Sequence, residues 1–135
     1  MRIAIGLIFG ALALAPAAEQ FEVYPGAVLD APATKAASYG RTQSQVYVTN
    51  DSYDRVYAFY KSRYKENPWP LPSATLPSGK KVQSAIFILD GAKNLATSKL
   101  WVKVQRPFIF TISKETGEFE DIRDVSVIQS VVRLR

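Results

Sequence analysis

Hydrophobic and polar residues recur along this chain with two different periods, and each period predicts its own kind of element. From Asn50 to Asn67 (NDSYDRVYAFYKSRYKEN) the residues Tyr53, Val56, Tyr57, Tyr60 and Tyr64 return every three or four positions, the spacing of an amphipathic helix. At about 100° per residue the four tyrosines share one narrow face flanked by Val56 and Phe59, opposite Asp54, Arg55, Lys61, Ser62 and Lys65. Asn50 or Asp51 is expected to cap this helix, and Asp51 and Asp54 suit the positive end of its dipole. Asp51 and Arg55 form a favourable i,i+4 pair, while Lys61, Arg63 and Lys65 lie at the negative end. The helix is expected to run until Asn67-Pro68, because a residue before proline is pushed out of helical geometry. Its tyrosine rings are expected to fill the core, with their hydroxyls reaching polar partners at the rim.

The remaining pattern is that of strands. Phe21 to Asp30 joins a short β-prone piece to the turn pair Pro25-Gly26, and Gln45 to Thr49 alternates ahead of the helix. Between them, Ala31 to Arg41 is small and polar and predicts a surface loop. Pro68 to Gly79 holds four prolines in twelve residues and presents Trp69 on a stiff, extended connection. Val82 to Asp90 is apolar on both alternating sets, which suits a central strand covered on both faces. Leu100 to Ile112 puts Leu100, Val102, Val104, Phe108, Phe110 and Ile112 on one side and Trp101, Lys103, Gln105 and Thr111 on the other. That alternation predicts a half-exposed strand, with an edge or a bulge at Pro107, which has no N–H to donate. An acidic loop follows the turn at Lys114 to Gly117, and Val125 to Leu134 forms the final strand.

Short links between successive strands favour antiparallel pairing. The expected fold is therefore α+β: one long amphipathic helix packed on one face of a four- to five-stranded, mostly antiparallel sheet. Such a two-layer domain leaves Trp101, Ile109 and one set of Val82 to Asp90 partly bare on the second face, where a partner, a second copy or the proline-rich segment is expected to lie.

Residues 1–18 (MRIAIGLIFGALALAPAA) pair Arg2 with an apolar run and end in the small-residue site Ala15-Pro16-Ala17, the pattern of a cleaved secretory signal. The run is shorter than the roughly 20 residues that span a bilayer. The expectation is an exported, soluble protein, periplasmic or extracellular, with residues 19–135 forming a single domain and no stable membrane insertion after cleavage. Of the 17 basic and 12 acidic residues, cleavage removes Arg2 and leaves a net charge of 16 − 12 = +4. The excess is scattered, as in an ordinary soluble domain, and export speaks against nucleic acid as a partner.

The segment Tyr24-Pro25-Gly26-Ala27, the helix start Asp51-Ser52-Tyr53 with Phe59-Tyr60-Lys61 beyond it, and Asp124-Val125-Ser126-Val127-Ile128 resemble a group of small exported bacterial proteins of uncharacterised function. The resemblance implies export and a helix-on-sheet fold, and it lends no catalytic residues.

Candidate chemistry is limited by composition. The chain has no histidine and no cysteine, which removes disulfides, thiolate metal sites, the usual zinc ligands and the Ser-His-Asp and Cys-His arrangements. Ser62-Arg63-Tyr64-Lys65 matches an S-x-x-K spacing without its partner motifs. The acidic residues Glu115, Glu118, Glu120, Asp121 and Asp124 do not follow calcium-loop spacing and read as a solvated loop. No cofactor or metal is expected. The aromatic residues are the better lead: Trp101 beside Lys103 and Gln105, together with Trp69, form the predicted ligand or partner surface. The expected function is a non-enzymatic binding or interaction module for an envelope protein or glycan, or one that forms a homodimer. The alternative is a small enzyme acting on an envelope polymer through tyrosine with a carboxylate or arginine.

Overall fold

A computed structural model describes residues 21–69 and 73–134. The predicted signal peptide lies outside the described residues. No helix among those described is long and apolar enough to cross a membrane.

The described residues form eight strands and two short helices in the order β1 (Val28–Leu29), α1 (Ala31–Ala37), β2 (Thr42–Thr49), α2 (Tyr53–Lys61), β3 (Lys65–Glu66), β4 (Gln83–Ile88), β5 (Leu100–Arg106), β6 (Phe108–Ile112), β7 (Phe119–Arg123) and β8 (Ser126–Arg133). Six strands make one sheet in the order β1-β2-β8-β5-β4-β3, and β6 with β7 makes a separate hairpin. Every paired ladder is antiparallel. The mixed α and β class and the antiparallel pairing agree with the sequence. One long helix on four to five strands does not: the described residues have two short helices, and their main sheet has six strands.

The helix of residues 50–67 is shortened at both ends. Ser52, rather than Asn50 or Asp51, is the cap, accepting from the Arg55 N–H at 3.2 Å. The far end stops at Lys61 because Lys65 and Glu66 pair with Ile88 and Phe87 and close the outer edge of β4. That exchange replaces a frayed helix end with ladder hydrogen bonds at an otherwise open edge. Residues Ala31–Ala37 are helical rather than a loop. Asp30 accepts from the Ala33 N–H at 3.0 Å, and Pro32 sits in the first turn, where its missing N–H costs nothing.

The core lies between α2 and one sheet face. Val56 and Tyr60 are fully buried against Phe87, Val102, Val104 and Ile128. Phe21 stacks on Tyr60 with the rings 6.4 Å apart. Three of the four tyrosine hydroxyls end on polar partners. Tyr60 donates to the Glu22 carbonyl at 2.7 Å, Tyr57 donates to Glu66 at 2.6 Å, and Tyr64 accepts from the Glu22 N–H at 3.1 Å.

The Tyr24-Pro25-Gly26-Ala27 segment is a β-turn closed by Ala27 N–H to Tyr24 carbonyl at 3.0 Å, with Gly26 at φ 85°. Proline followed by a residue of positive φ is the type II arrangement, which needs glycine. The turn delivers Tyr24 to the helix start, where its hydroxyl donates to Asp51 at 2.6 Å and its ring meets Phe59 edge-on.

On the far side of the sheet the outcome differs most from the two-layer expectation. Four strands present Ile86, Lys103, Gln129 and Val46 as one transverse row, with Ile88, Trp101 and Val131 in the next row. Ile86 and Ile88 are only 5% and 3% exposed. Over β2 and β8 this face is covered by α1 and by the β6–β7 hairpin: Ala33 and Ala37 of the helix and Phe108 and Phe110 of the hairpin pack around Val46 and Val127. The predicted long strand Leu100–Ile112 therefore breaks at Pro107, where the chain leaves the sheet to fold back as β6. The acidic stretch, expected as a loop, supplies β7, whose Arg123, Ile122, Glu120 and Phe119 pair with Phe108, Ile109, Thr111 and Ile112.

Candidate functional site

The covering of the outer face is incomplete, and the gap falls on two of the residues singled out in the sequence. A cleft of about 200 Å³ opens between α1 and the hairpin. Lys103, Gln105 and Gln129 form its floor, Ala33, Ala36 and Ala37 one wall, and Phe108, Ile109 and Phe110 the other. A second cleft of about 290 Å³ shares Lys103 and Gln105 and is bounded by Ala74, Val82, Ile112 and Phe119. Lys103, Gln105 and Ile109 border both.

Local sequence explains the shape. The alanines of α1 give the helix a surface without long side chains, so it approaches the sheet without filling the space above Lys103. The hairpin brings bulk instead, with Phe108 and Phe110 meeting at 5.8 Å in an edge-to-face contact. Arg123 on β7 lies over both rings, at 5.6 and 4.9 Å, and reaches Asp30, the cap of α1, at 3.3 Å. One ion pair thus ties the two walls together.

Lys103 is the only charged side chain bordering either cleft among the described residues. It sits mid-sheet on β5, between Ile86 and Gln129 on the neighbouring strands. Burial pushes its pKa below the usual lysine value, because an ammonium loses solvation there. It has no hydrogen-bond or ion-pair partner among the described residues. Gln105 donates to the Pro107 carbonyl at 3.1 Å and Gln129 to the Ser44 hydroxyl at 3.2 Å. Both amides are therefore oriented by the fold and retain a second N–H.

The other two predicted surface residues are not part of this arrangement. Trp101 lies one row further along β5, its ring covered by the Arg133 guanidinium at 4.7 Å. Trp69 is 63% exposed on its loop, its carbonyl accepting from Asn67. Neither borders the two clefts. Sequence reasoning missed both walls. The signals were present, in Asp30-Ala31-Pro32 as a helix start before an alanine run and in the aromatic pair Phe108 and Phe110, but neither followed a period that marks a site.

The tyrosines are poorly placed for acid–base work. Burial raises the pKa of Tyr53 to about 12 and raises those of Tyr60 and Tyr64. Hydrogen bonds to carboxylates are the main cause for Tyr24 and Tyr57. Every one of these shifts leads away from neutrality, opposite to what a tyrosine base requires. Glu66, the acid beside Tyr57, is also held by Lys61 at 3.3 Å. Arg106, near Tyr53, is committed to the Asn50 and Asp51 carbonyls, the Ser126 hydroxyl and Asp124. Among the described residues no group of three or more acidic side chains is gathered to hold a metal ion.

Comparison of the chain with known protein families, with curated proteins and with solved structures gives no match in any of the three.

Proposed function

We propose that this protein is an exported, non-enzymatic binding module whose ligand occupies the clefts on the outer sheet face, over Lys103 and Gln105. The observation that carries this reading is an unpaired, half-buried ammonium, beside two glutamine amides, on the floor of a cleft whose walls are apolar. Burying a charge without a counter-ion lowers stability, and a fold that needed only a packed outer face is served better by an aliphatic residue there. A pocket that is mostly apolar, with a few fixed polar groups at one point, is the common form of a small-molecule site. Export rests on the pattern of residues 1–18 and on the resemblance to small exported proteins. The upward shifts of the tyrosines weigh against the enzymatic alternative.

The test is amide-shift mapping by NMR with 8-anilinonaphthalene-1-sulfonate, a probe with apolar rings and one negative charge. Shifts concentrated at Ala33 to Ala37, Lys103 to Phe110 and Val127 to Gln129 are expected. Shifts confined to Trp69, Trp101 and their neighbours would instead place the binding surface on the aromatic residues.

A further inference from the structure

The clefts also have a chemical character, from which we infer that the ligand is an aliphatic monocarboxylate, its carboxylate held by Lys103 with Gln105 and Gln129 and its chain lying between α1 and the β6–β7 hairpin. This rests on the outer-face clefts being the binding site, and it names what they select.

The charge count decides the headgroup. A single ammonium borders the clefts among the described residues, and no acid opposes it. Arg123, on the hairpin, stands over the Phe108 and Phe110 rings and is engaged by Asp30 and Asp121. A dianion such as a phosphate monoester would bring one charge too many into an apolar site, whereas a carboxylate leaves none unpaired. The fold already bears the cost of desolvating Lys103, so a carboxylate entering the cleft meets a cation stripped of competing water. The carboxylate has two oxygens to satisfy. Lys103 serves one, and the free N–H of Gln105, two residues along the strand, or of Gln129, directly across it, serves the other.

The walls decide the remainder of the molecule. Alanine methyls, phenylalanine rings and Ile109 offer no hydrogen bonds, so they accept a hydrocarbon and reject a sugar, whose hydroxyls would be left without partners. Because Lys103 and Ile109 border both clefts, a chain longer than one cleft can continue into the other under the hairpin.

Titration of the full mature domain with octanoate, 1-octanol and octylammonium, followed by calorimetry and amide shifts, tests this. Octanoate is expected to bind at the cleft at least about tenfold more tightly than octanol, and octylammonium not to bind. Lys103→Met should abolish the preference for octanoate while still admitting octanol. Ala36→Phe, at an exposed position on the α1 wall, should weaken both without loss of folding. Equal affinity for octanoate and octanol, or a preference that survives in Lys103→Met, overturns the carboxylate assignment and leaves an apolar site standing. If none of the three compounds shifts the cleft amides, the outer-face binding reading falls with it.

Discussion

Arg123 Nη1 lies 3.3 Å from Asp30 Oδ2, across 93 residues of sequence. Asp30 at the same time caps α1 through the Ala33 N–H. This carboxylate therefore both starts the helix that forms one wall of the cleft and joins it to the hairpin that forms the other. Two substitutions separate the roles. Asp30→Asn keeps an N-cap acceptor and loses the ion pair, which is half-exposed on the arginine side, so a loss of under about 1 kcal/mol is expected. Asp30→Ala loses both, and about 1–2 kcal/mol is expected in urea unfolding.

Arg106 organises the junction between sheet, helix and hairpin. Its guanidinium donates to the Asp51 carbonyl at 3.0 Å, the Ser126 hydroxyl at 3.1 Å and the Asp124 carbonyl at 2.9 Å, and Ser126 in turn donates to the Asp51 carbonyl at 2.7 Å. A lysine is a point charge and does not reproduce this planar fork. Arg106→Lys is expected to lower stability by about 2–3 kcal/mol in chemical denaturation, because partners inside the junction lose their donors.

Much of the inner face was legible in the sequence, and the reason is periodicity. The stripe from Tyr53 to Tyr64 and the alternation of Leu100, Val102 and Val104 both pointed at one core, where they meet Phe87 and Ile128. Lys103 and Gln105 were legible as neighbours on one side of β5, but their surroundings were not. The cover over them comes from Ala31–Ala37, too small and even in character to show a helical stripe, and from β7, whose charged residues hid a strand that exists because β6 pairs with it. The last strand, β8, lies at the middle of the sheet between β2 and β5. Local patterns carry no information about such an order, because it depends on contacts between distant segments.

Tyr53 and Tyr60 contribute to the loss of stability at alkaline pH. Burial raises Tyr53 to about 12 and raises Tyr60 as well, while in the unfolded chain both lose their protons near 10. Above that pH the unfolded state binds fewer protons than the folded state, so stability falls as pH rises. The loss due to Tyr53 runs from about pH 10 through about 12. Unfolding midpoints measured along this range should decline less steeply in Tyr53→Phe and Tyr60→Phe than in the parent. Tyr60→Phe should also lose about 1 kcal/mol at neutral pH, from its hydrogen bond to the Glu22 carbonyl.

Lys103 acts on stability in the opposite sense. Its pKa is lowered on folding, so between the folded value and the ordinary lysine value the unfolded chain binds more protons, and stability rises with pH. In Lys103→Met this rise is expected to vanish from the pH dependence of the unfolding midpoint, leaving the tyrosine-driven decline alone.

The melting temperature of the parent and of Lys103→Met, each with and without octanoate, bears most directly on a cleft built to receive an anion. Lys103→Met should melt about 2–5 °C higher without ligand, since it removes an unpaired, half-buried charge. Octanoate should raise the melting temperature of the parent more than that of Lys103→Met. A Lys103→Met protein that melts lower than the parent, or that octanoate stabilises equally, would contradict it.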